Sequence, residues 1–410
     1  MKKVELLAPA GNLEKLKAAI TYGADAVYMG GTSFGLRASA GNFTEEEMKE
    51  AIKFAHERDA KIYITVNIIA HNEDLDSLPE YLLSLEKLGV DALIVADPGI
   101  LRIIKDTVPK MEVHLSTQAS NTNWSSAKFW ASQGIDRIIL ARELTLDEVS
   151  ETIQKVPEAG FEVFIHGAMC MSYSGRCLLS NYLTGRDANR GKCAQVCRWK
   201  FNLVEENRPN QFFPVVEDER GTYIFNSKDM CAIDVLPELI EMGVDSLKIE
   251  GRMKSIHYVA TVTKAYRQAI DSYYRNPKGF VVDDKIREEL DKPSHRPYFT
   301  GYYNEAPNKE SLSQHYESSG YIRQYEFLGK VLEYNKEKKM ALIEQRNSFA
   351  VGDTAEIMNP KGENVFISIN SITDYETGES IERAPHARQK VWIPIDCVVE
   401  SFGIMRRKVK

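Results

Sequence analysis

The chain has 410 residues, 43% hydrophobic and 27% charged, with a formal net charge of -7. That length exceeds what one hydrophobic core usually serves, so two domains are expected, and the balance of apolar and charged residues excludes a disordered chain. The negative charge excludes a general attraction to nucleic acid, so a polyanion partner would have to be gripped by local basic patches.

No apolar run reaches the roughly 18 residues that a membrane-spanning helix needs. The opening MKKVELLAPAGN has too short an apolar stretch for a secretory signal. A cytoplasmic protein with no membrane contact is expected.

From residue 1 to about 275, short apolar runs alternate with amphipathic stretches, which predicts an α/β architecture around a parallel sheet. Strands are expected at 6–10, 26–30, 62–67, 92–97, 113–118, 137–142, 162–167, 223–229 and 246–251. Helices are expected from Leu13 to Tyr22, Thr44 to Arg58, Asp76 to Leu88 and Thr145 to Val156. Nine runs are one more than a closed TIM-like (β/α)8 barrel takes, and YIFNSKD at 223–229 is the one assigned to an insertion. An open doubly wound sheet is the runner-up, but the first strand lacks the glycine-rich phosphate turn of a dinucleotide fold.

A short motif recurs: Gly23-Ala24-Asp25, Gly89-Val90-Asp91, Gly134-Ile135-Asp136 and Gly243-Val244-Asp245 each end a helical pattern just before an apolar run. Glycine there supplies a left-handed helix C-cap. Polar residues gather at the C-terminal ends of the strands: Asn67, Asp97, Gln118, Arg142, His166, Asp229, Glu250 and Arg252. Barrel enzymes build their active sites at that end. By the two-residue period, Glu112, His114, Ser116 and Gln118 share one face, as do Lys248 and Glu250, so an inward polar lining is one outcome and a half-exposed edge the other.

The stretch at about 168–231 is a cysteine-rich insertion. Six residues separate Cys170 from Cys177, fifteen separate Cys177 from Cys193, three separate Cys193 from Cys197, and thirty-three separate Cys197 from Cys231. In a reducing compartment clustered thiols bind metal or do redox chemistry more often than they form disulfides. Only Cys193 and Cys197 have the spacing of a zinc knuckle, whereas an iron–sulfur cluster tolerates uneven spacing. Iron–sulfur, zinc and unligated thiols all remain open on spacing alone. Arg176, Arg186, Arg190, Lys192, Arg198 and Lys200 give the segment local positive charge suited to offset thiolates or hold phosphate. No HExxH or GxSxG signature is present.

Beyond the first domain (1–275), residues 276–319 read as a linker rich in proline, charge and tyrosine. Residues 320–410 read as a small all-β barrel of roughly six strands split by turns such as Asn359-Pro360-Lys361-Gly362. The tail MRRKVK is basic.

The run Glu162 to Ser180, EVFIHGAMCMSYSGRCLLS, resembles the signature of the peptidase U32 family at every fixed position: Glu, Phe, Gly-Ala-Met-Cys, then Gly-x-Cys-x-Leu-Ser. LLAPAGN at the start, NSKDMC at 226–231 and KIEGRMKS at 248–255 are similar to the same family, so the likeness spans essentially the whole chain. The family is named for collagenase-like proteases. For many members the resemblance implies instead an oxygen-independent hydroxylation linked to a 4Fe-4S cluster. The length and the β module here are most similar to the branch that hydroxylates the wobble uridine of tRNA and depends on prephenate.

By that resemblance Cys170, Cys177, Cys193 and Cys231 are the expected cluster ligands, with Cys197 as a competitor for the third place. His166, Glu250 and Arg252 are expected in the catalytic pocket. Arg37, from FGLRA, is assigned to a substrate carboxylate, and Arg176, Arg186 and Arg190 to phosphate or dicarboxylate. The basic end, Arg406, Arg407, Lys408 and Lys410, suits either RNA contact or a structural cap. The expected partners are tRNA, prephenate and a second family member as heteromeric partner. The alternatives are a U32-type peptidase and a zinc-stabilised RNA-binding protein.

Overall fold

The structure is a computed structural model that describes residues 3–31, 34–35, 42–170, 172–174, 177–186, 188, 191–198, 202–205, 208–214, 228–305 and 321–409. Seven parallel strands follow one another round a barrel: β1 (Glu5–Pro9), β2 (Ala26–Met29), β3 (Lys61–Val66), β4 (Ala92–Val95), β5 (Glu112–Leu115), β6 (Arg137–Ile139) and β7 (Gly160–Ala168). The insertion carries a hairpin, β8 (Asn202–Glu205) with β9 (Arg208–Pro214), and β10 (Asp229–Cys231). The eighth barrel strand, β11 (Ser246–Ile249), pairs in parallel with both β7 and β1 and closes the cylinder.

Helices α1 (Leu13–Thr21), α2 (Glu45–His56), α3 (Asn72–Leu75), α4 (Leu78–Leu88), α5 (Pro98–Thr107), α6 (Trp124–Ser132) and α7 (Leu146–Lys155) lie between successive strands. The insertion holds α8 (Leu179–Thr184), α9 (Leu236–Glu241) leads into β11, and α10 (Ile256–Arg275) follows it. Local sequence fixes several starts: capping boxes pair Thr44 with Glu47 and Thr145 with Glu148. The expected (β/α)8 count is met because the ninth run is not a barrel strand. Its residues 223–227 lie outside the described residues, and Asp229 opens β10, which runs antiparallel to β7.

The recurrent Gly-x-Asp does more than end a helix. All four glycines have positive φ, between 82° and 104°, and each aspartate then clasps the preceding strand. Leu6 N–H donates to Asp25 Oδ2 (2.8 Å), Ile62 N–H to Asp91 (2.7 Å), Val113 N–H to Asp136 (2.8 Å) and Phe161 N–H to Asp245 (3.0 Å). Every clasp joins an even-numbered strand of the barrel to the second residue of the odd-numbered strand before it, so the cylinder is four copies of one two-stranded unit.

The inward polar faces make an ion-paired layer rather than a wet channel. Arg137 Nη1 reaches Glu5 Oε1 (2.6 Å) and Glu162 Oε2 (3.5 Å), while Lys248 Nζ donates to Glu162 Oε1 (2.8 Å). Glu162 has no solvent exposure and His114 is equally buried, its Nε2 2.8 Å from Glu112.

The expected linker is part of the fold over its described residues, because its tyrosines meet the barrel wall. Residues 276–305 include α11 (Asp284–Asp291) and β12 (Tyr298–Phe299), and β12 adds to β10. Tyr303 Oη donates to the Phe164 carbonyl (2.6 Å). Residues 306–319 lie outside the described residues.

The C-terminal module is an eight-stranded antiparallel sheet around its own core of Leu328, Val331, Ile343, Ile357, Val391 and Met405. Its strands include β13 (Tyr325–Asn335), β14 (Met340–Gln345), β16 (Thr354–Met358) and β22 (Ile404–Lys408), with β15 (Phe349–Ala350) and β20 (Arg383–Ala384) forming a separate pair. The remaining strands are β17 (Val365–Ser368), β18 (Ile372–Asp374), β19 (Ser380–Ile381) and β21 (Lys390–Pro394). The order runs β17-β16-β22-β13-β14-β21-β18-β19, so the two edges are not paired with each other.

The basic tail is a central strand of that sheet, and of the two expectations for it, two of its cations take the structural one. Arg406 has no exposure and donates to Glu356 (2.9 Å) and, across the domain junction, to Glu289 of α11 (2.6 Å). Arg407 is paired with Asp353 (2.7 Å) and Glu326 (2.8 Å). Lys410 lies outside the described residues. The same junction buries Tyr22, whose Oη donates to the carbonyls of Met358 (2.7 Å) and Phe402 (3.0 Å).

Candidate active site at the barrel mouth

A cavity of about 230 Å³ opens at the C-terminal ends of the barrel strands. Its apolar wall comes from Tyr28, Ile94, Ile139 and Phe164, residues of β2, β4, β6 and β7. Lys248 forms part of the lining, with Nζ 4.4 Å from the centre of the Tyr28 ring. Above these stand Thr65, Asn67, Ser116, Gln118, Arg142, Glu250 and Arg252, and the cysteine-rich segment covers one side.

The polar groups are tied to one another. Arg142 Nη1 donates to the Ala168 carbonyl (2.9 Å), its Nη2 meets Glu250 Oε2 (3.3 Å), and its guanidinium lies 3.8 Å over the Phe164 ring. Arg252 donates to Thr65 Oγ1 (3.4 Å) and Asn42 Oδ1 (3.4 Å). Asn67 Nδ2 donates to Ser116 Oγ (3.2 Å). Glu250 and Arg252 are 8% and 3% exposed, and both line the inner wall of the cavity. With Arg142, Arg186 and Lys248 beside them, cations outnumber the single carboxylate of the described lining.

His166 is not part of this cavity, which corrects its place in the pocket. Strict alternation along β7 would align it with Glu162 and Phe164, both of which face inward. A bulge intervenes: Lys248 of β11 pairs with Phe164, but the next residue, Ile249, pairs with His166. The extra residue turns the imidazole outward. There it meets Tyr266 of α10 and Tyr298 of β12, each 3.4 Å from one ring nitrogen, and is 1% exposed. Burial, helped by Lys254 and His295, pushes its pKa down to about 3, so it stays neutral.

Four cysteines, Cys170, Cys177, Cys193 and Cys197, line the cavity. Cys170 and Cys193 are exposed, while Cys177 and Cys197 are partly buried. Cys231 stands apart from them. It is paired in register with His166, shares its outward face, and lies 3.8 Å from Tyr266 Oη. Burial pushes its thiol up to about 11.

Among the described residues, no three His, Cys, Asp or Glu side chains are drawn together as ligands of one ion. The donor chemistry nevertheless matches what a four-thiolate cluster requires, since four cysteines of one segment line a single cavity. Of the other predicted residues, Arg186 lines the cavity and donates through Nε to the Lys192 carbonyl (3.1 Å). Arg37, Arg176 and Arg190 lie outside the described residues. Sequence reasoning noticed Arg142 only as a polar strand end and missed Tyr28 and Phe164. For Phe164 the signal was present, because it shares the inward face of Glu162.

A closed (β/α)8 barrel with ionisable side chains and thiols gathered at the C-terminal ends of its strands has the architecture on which barrel enzymes are built. The chain belongs to the peptidase U32 family: Peptidase family U32 matches residues 11–313, and the Peptidase family U32 C-terminal domain matches residues 323–406. It is 46% identical to the tRNA hydroxylation protein P1 of Bacillus subtilis (strain 168), over 99% of this chain and 95% of that protein. It is 37% identical to the tRNA hydroxylation protein P of Escherichia coli (strain K12), over 99% of this chain and 97% of that protein. A 23S rRNA 5-hydroxycytidine synthase of Escherichia coli (strain K12) is 42% identical over 66% of this chain and 40% of its own length.

Proposed function

We propose that this protein is a tRNA-modifying enzyme that hydroxylates the wobble uridine to 5-hydroxyuridine, independently of oxygen, with prephenate as co-substrate and an iron–sulfur cluster at the barrel mouth. The observation that carries this reading is the convergence of four cysteines on a cation-rich cavity at the catalytic end of the barrel. The relatives named for RNA hydroxylation support it. The acidic chain would hold tRNA through local cations, so binding should weaken steeply with salt.

In this reading Cys170, Cys177 and Cys193 hold the cluster together with a fourth thiolate, and the bound cluster would supply one-electron transfer. Two thiols compete for the fourth place. Cys231, which the resemblance implies, has to leave its buried contact with Tyr266, whereas Cys197 already lines the mouth. Arg252 and Arg186 supply guanidinium groups for the two carboxylates of prephenate, and Glu250 orients Arg142.

Protein purified without air should be brown and carry about four irons per chain. The Cys170→Ser, Cys177→Ser and Cys193→Ser variants should lose that iron. Iron retained in Cys231→Ser but lost in Cys197→Ser assigns the fourth place to Cys197, and the reverse assigns it to Cys231. Zinc in place of iron in the wild type would contradict the redox reading. A thiol-peptidase reading has less support, because no histidine lines the cavity among the described residues and His166 faces the other way.

A further inference from the structure

The segment that walls the cavity also carries the most exposed large apolar side chain among the described residues. Tyr182 of α8 is 86% exposed, and Tyr173, Leu178 and Leu183 of the same segment are 48%, 68% and 42% exposed. Single apolar side chains at a surface are ordinary, but a group of them within residues 173–183, beside a candidate active site, marks a place where something docks.

Helix α8 is fastened to the cavity wall on both sides. Cys177 lines the cavity just before it, and Arg186 and Cys193 line the cavity after it. Ser180, 1% exposed, ties the helix to that later stretch: its Oγ donates to the Arg186 carbonyl (2.7 Å) and accepts from Ala194 N–H (2.9 Å). Two residues further along a helix is about 200° round its axis, so the turn that buries Ser180 presents Tyr182 to solvent. Tyr173 both lines the cavity and stands half exposed, which carries the apolar surface from the mouth onto the rim.

The same stretch is the basic part of an acidic chain. Residues 170–200 carry Arg176, Arg186, Arg190, Lys192, Arg198 and Lys200 against Asp187, in a chain of net charge -7. Arg186 and Lys192 are exposed. A partner for this surface must be anionic and must offer flat apolar faces. Unpaired RNA has both, in its phosphates and its open bases, whereas a duplex keeps its base faces stacked. A stable protein interface engages roughly 20–30 residues a side, far more than this patch supplies.

We propose that Tyr182 is a stacking platform for an unpaired nucleotide next to the one that enters the cavity, with Lys192 holding a phosphate of the same strand. This rests on the RNA reading above and goes further by naming a surface outside the cavity that holds the loop.

The test is equilibrium binding of the full-length, anaerobically purified protein to a labelled stem-loop RNA with uridine at the target position, and to two versions in which the nucleotide before or after that uridine lacks its base. The wild type should bind at least one abasic loop about tenfold more weakly than the complete loop. Tyr182→Ala should bind the complete loop that much more weakly and no longer distinguish it from that abasic loop, at an unchanged melting temperature. Tyr182→Phe, which keeps the ring, should bind as the wild type does. Lys192→Gln should weaken all three loops alike and reduce the slope of log affinity against log salt by about 0.7. A Tyr182→Ala protein that binds the complete loop as tightly as the wild type, or that loses affinity for all three loops equally, overturns the platform and leaves the RNA reading standing. A change of oligomeric state in Tyr182→Ala without RNA would show that the face covers a second copy of the chain, and overturns it too. An unchanged salt slope in Lys192→Gln overturns the phosphate contact. A wild type that binds none of the loops contradicts the RNA reading itself, and the platform falls with it.

Discussion

Glu162 is a carboxylate with no solvent exposure in the middle of the barrel, held by Lys248 and Arg137. Burial alone would push its pKa up, but the two cations win and hold it below the ordinary carboxylate range. Removing one partner of such a pair leaves a buried charge unanswered, a loss of about 3–5 kcal/mol. Lys248→Met should therefore lower the urea midpoint sharply, and Glu162→Leu added to it should recover most of the loss. A Lys248→Met protein as stable as the parent would show that water already reaches Glu162. The inward face of Lys248 was legible from the two-residue period. His166 was not, because one inserted residue between Phe164 and His166 reverses the pattern, and nothing in EVFIHG marks the bulge.

At the scale of elements, the four Gly-x-Asp corners are readable in the sequence as helix ends, but their second role is not. The aspartates accept from strand N–H groups that lie 19 to 84 residues away in the chain. Periodicity carries no information about such partners. Asp136→Ala should cost about 1–2 kcal/mol through the Val113 N–H it abandons. Asp136→Asn, which keeps an acceptor oxygen, should cost less, and thermal unfolding of the two variants checks the order. Equal losses would point to the negative charge rather than the hydrogen bond. The insertion divides similarly. Cys170, Cys177 and Cys193 were recognisable as a site, whereas the separation of Cys231 from them depends on β10 pairing antiparallel with β7.

Across the whole molecule, the barrel and the C-terminal sheet share a buried junction built around Arg406, Glu289 and Glu356. MRRKVK looks like a solvated basic tail because the carboxylates that bury Arg406 lie 50 and 117 residues away. At this junction burial, aided by Arg406, pushes His257 down to about 3, and His166 is held at about 3 on the barrel wall. Both imidazoles are thus neutral in the fold, while the unfolded chain protonates them below about 6.5. Between those values the unfolded state binds more protons, so stability rises with pH and is lost as pH falls. With two such groups the slope approaches about 2.7 kcal/mol per pH unit below pH 6. Urea unfolding at pH 7, 6 and 5 should show that decline, and a flat profile would place these rings in contact with solvent.

The proposed function puts modification of a tRNA pyrimidine at the cysteine-lined mouth of the barrel. Mass spectrometry of nucleosides from tRNA of cells lacking the gene, complemented with the wild type or with Cys170→Ser, tests it most directly. 5-Hydroxyuridine and its derivatives should fall in the deletion, return with the wild type and stay low with Cys170→Ser. Unchanged nucleosides in the deletion, or full restoration by Cys170→Ser, would contradict it.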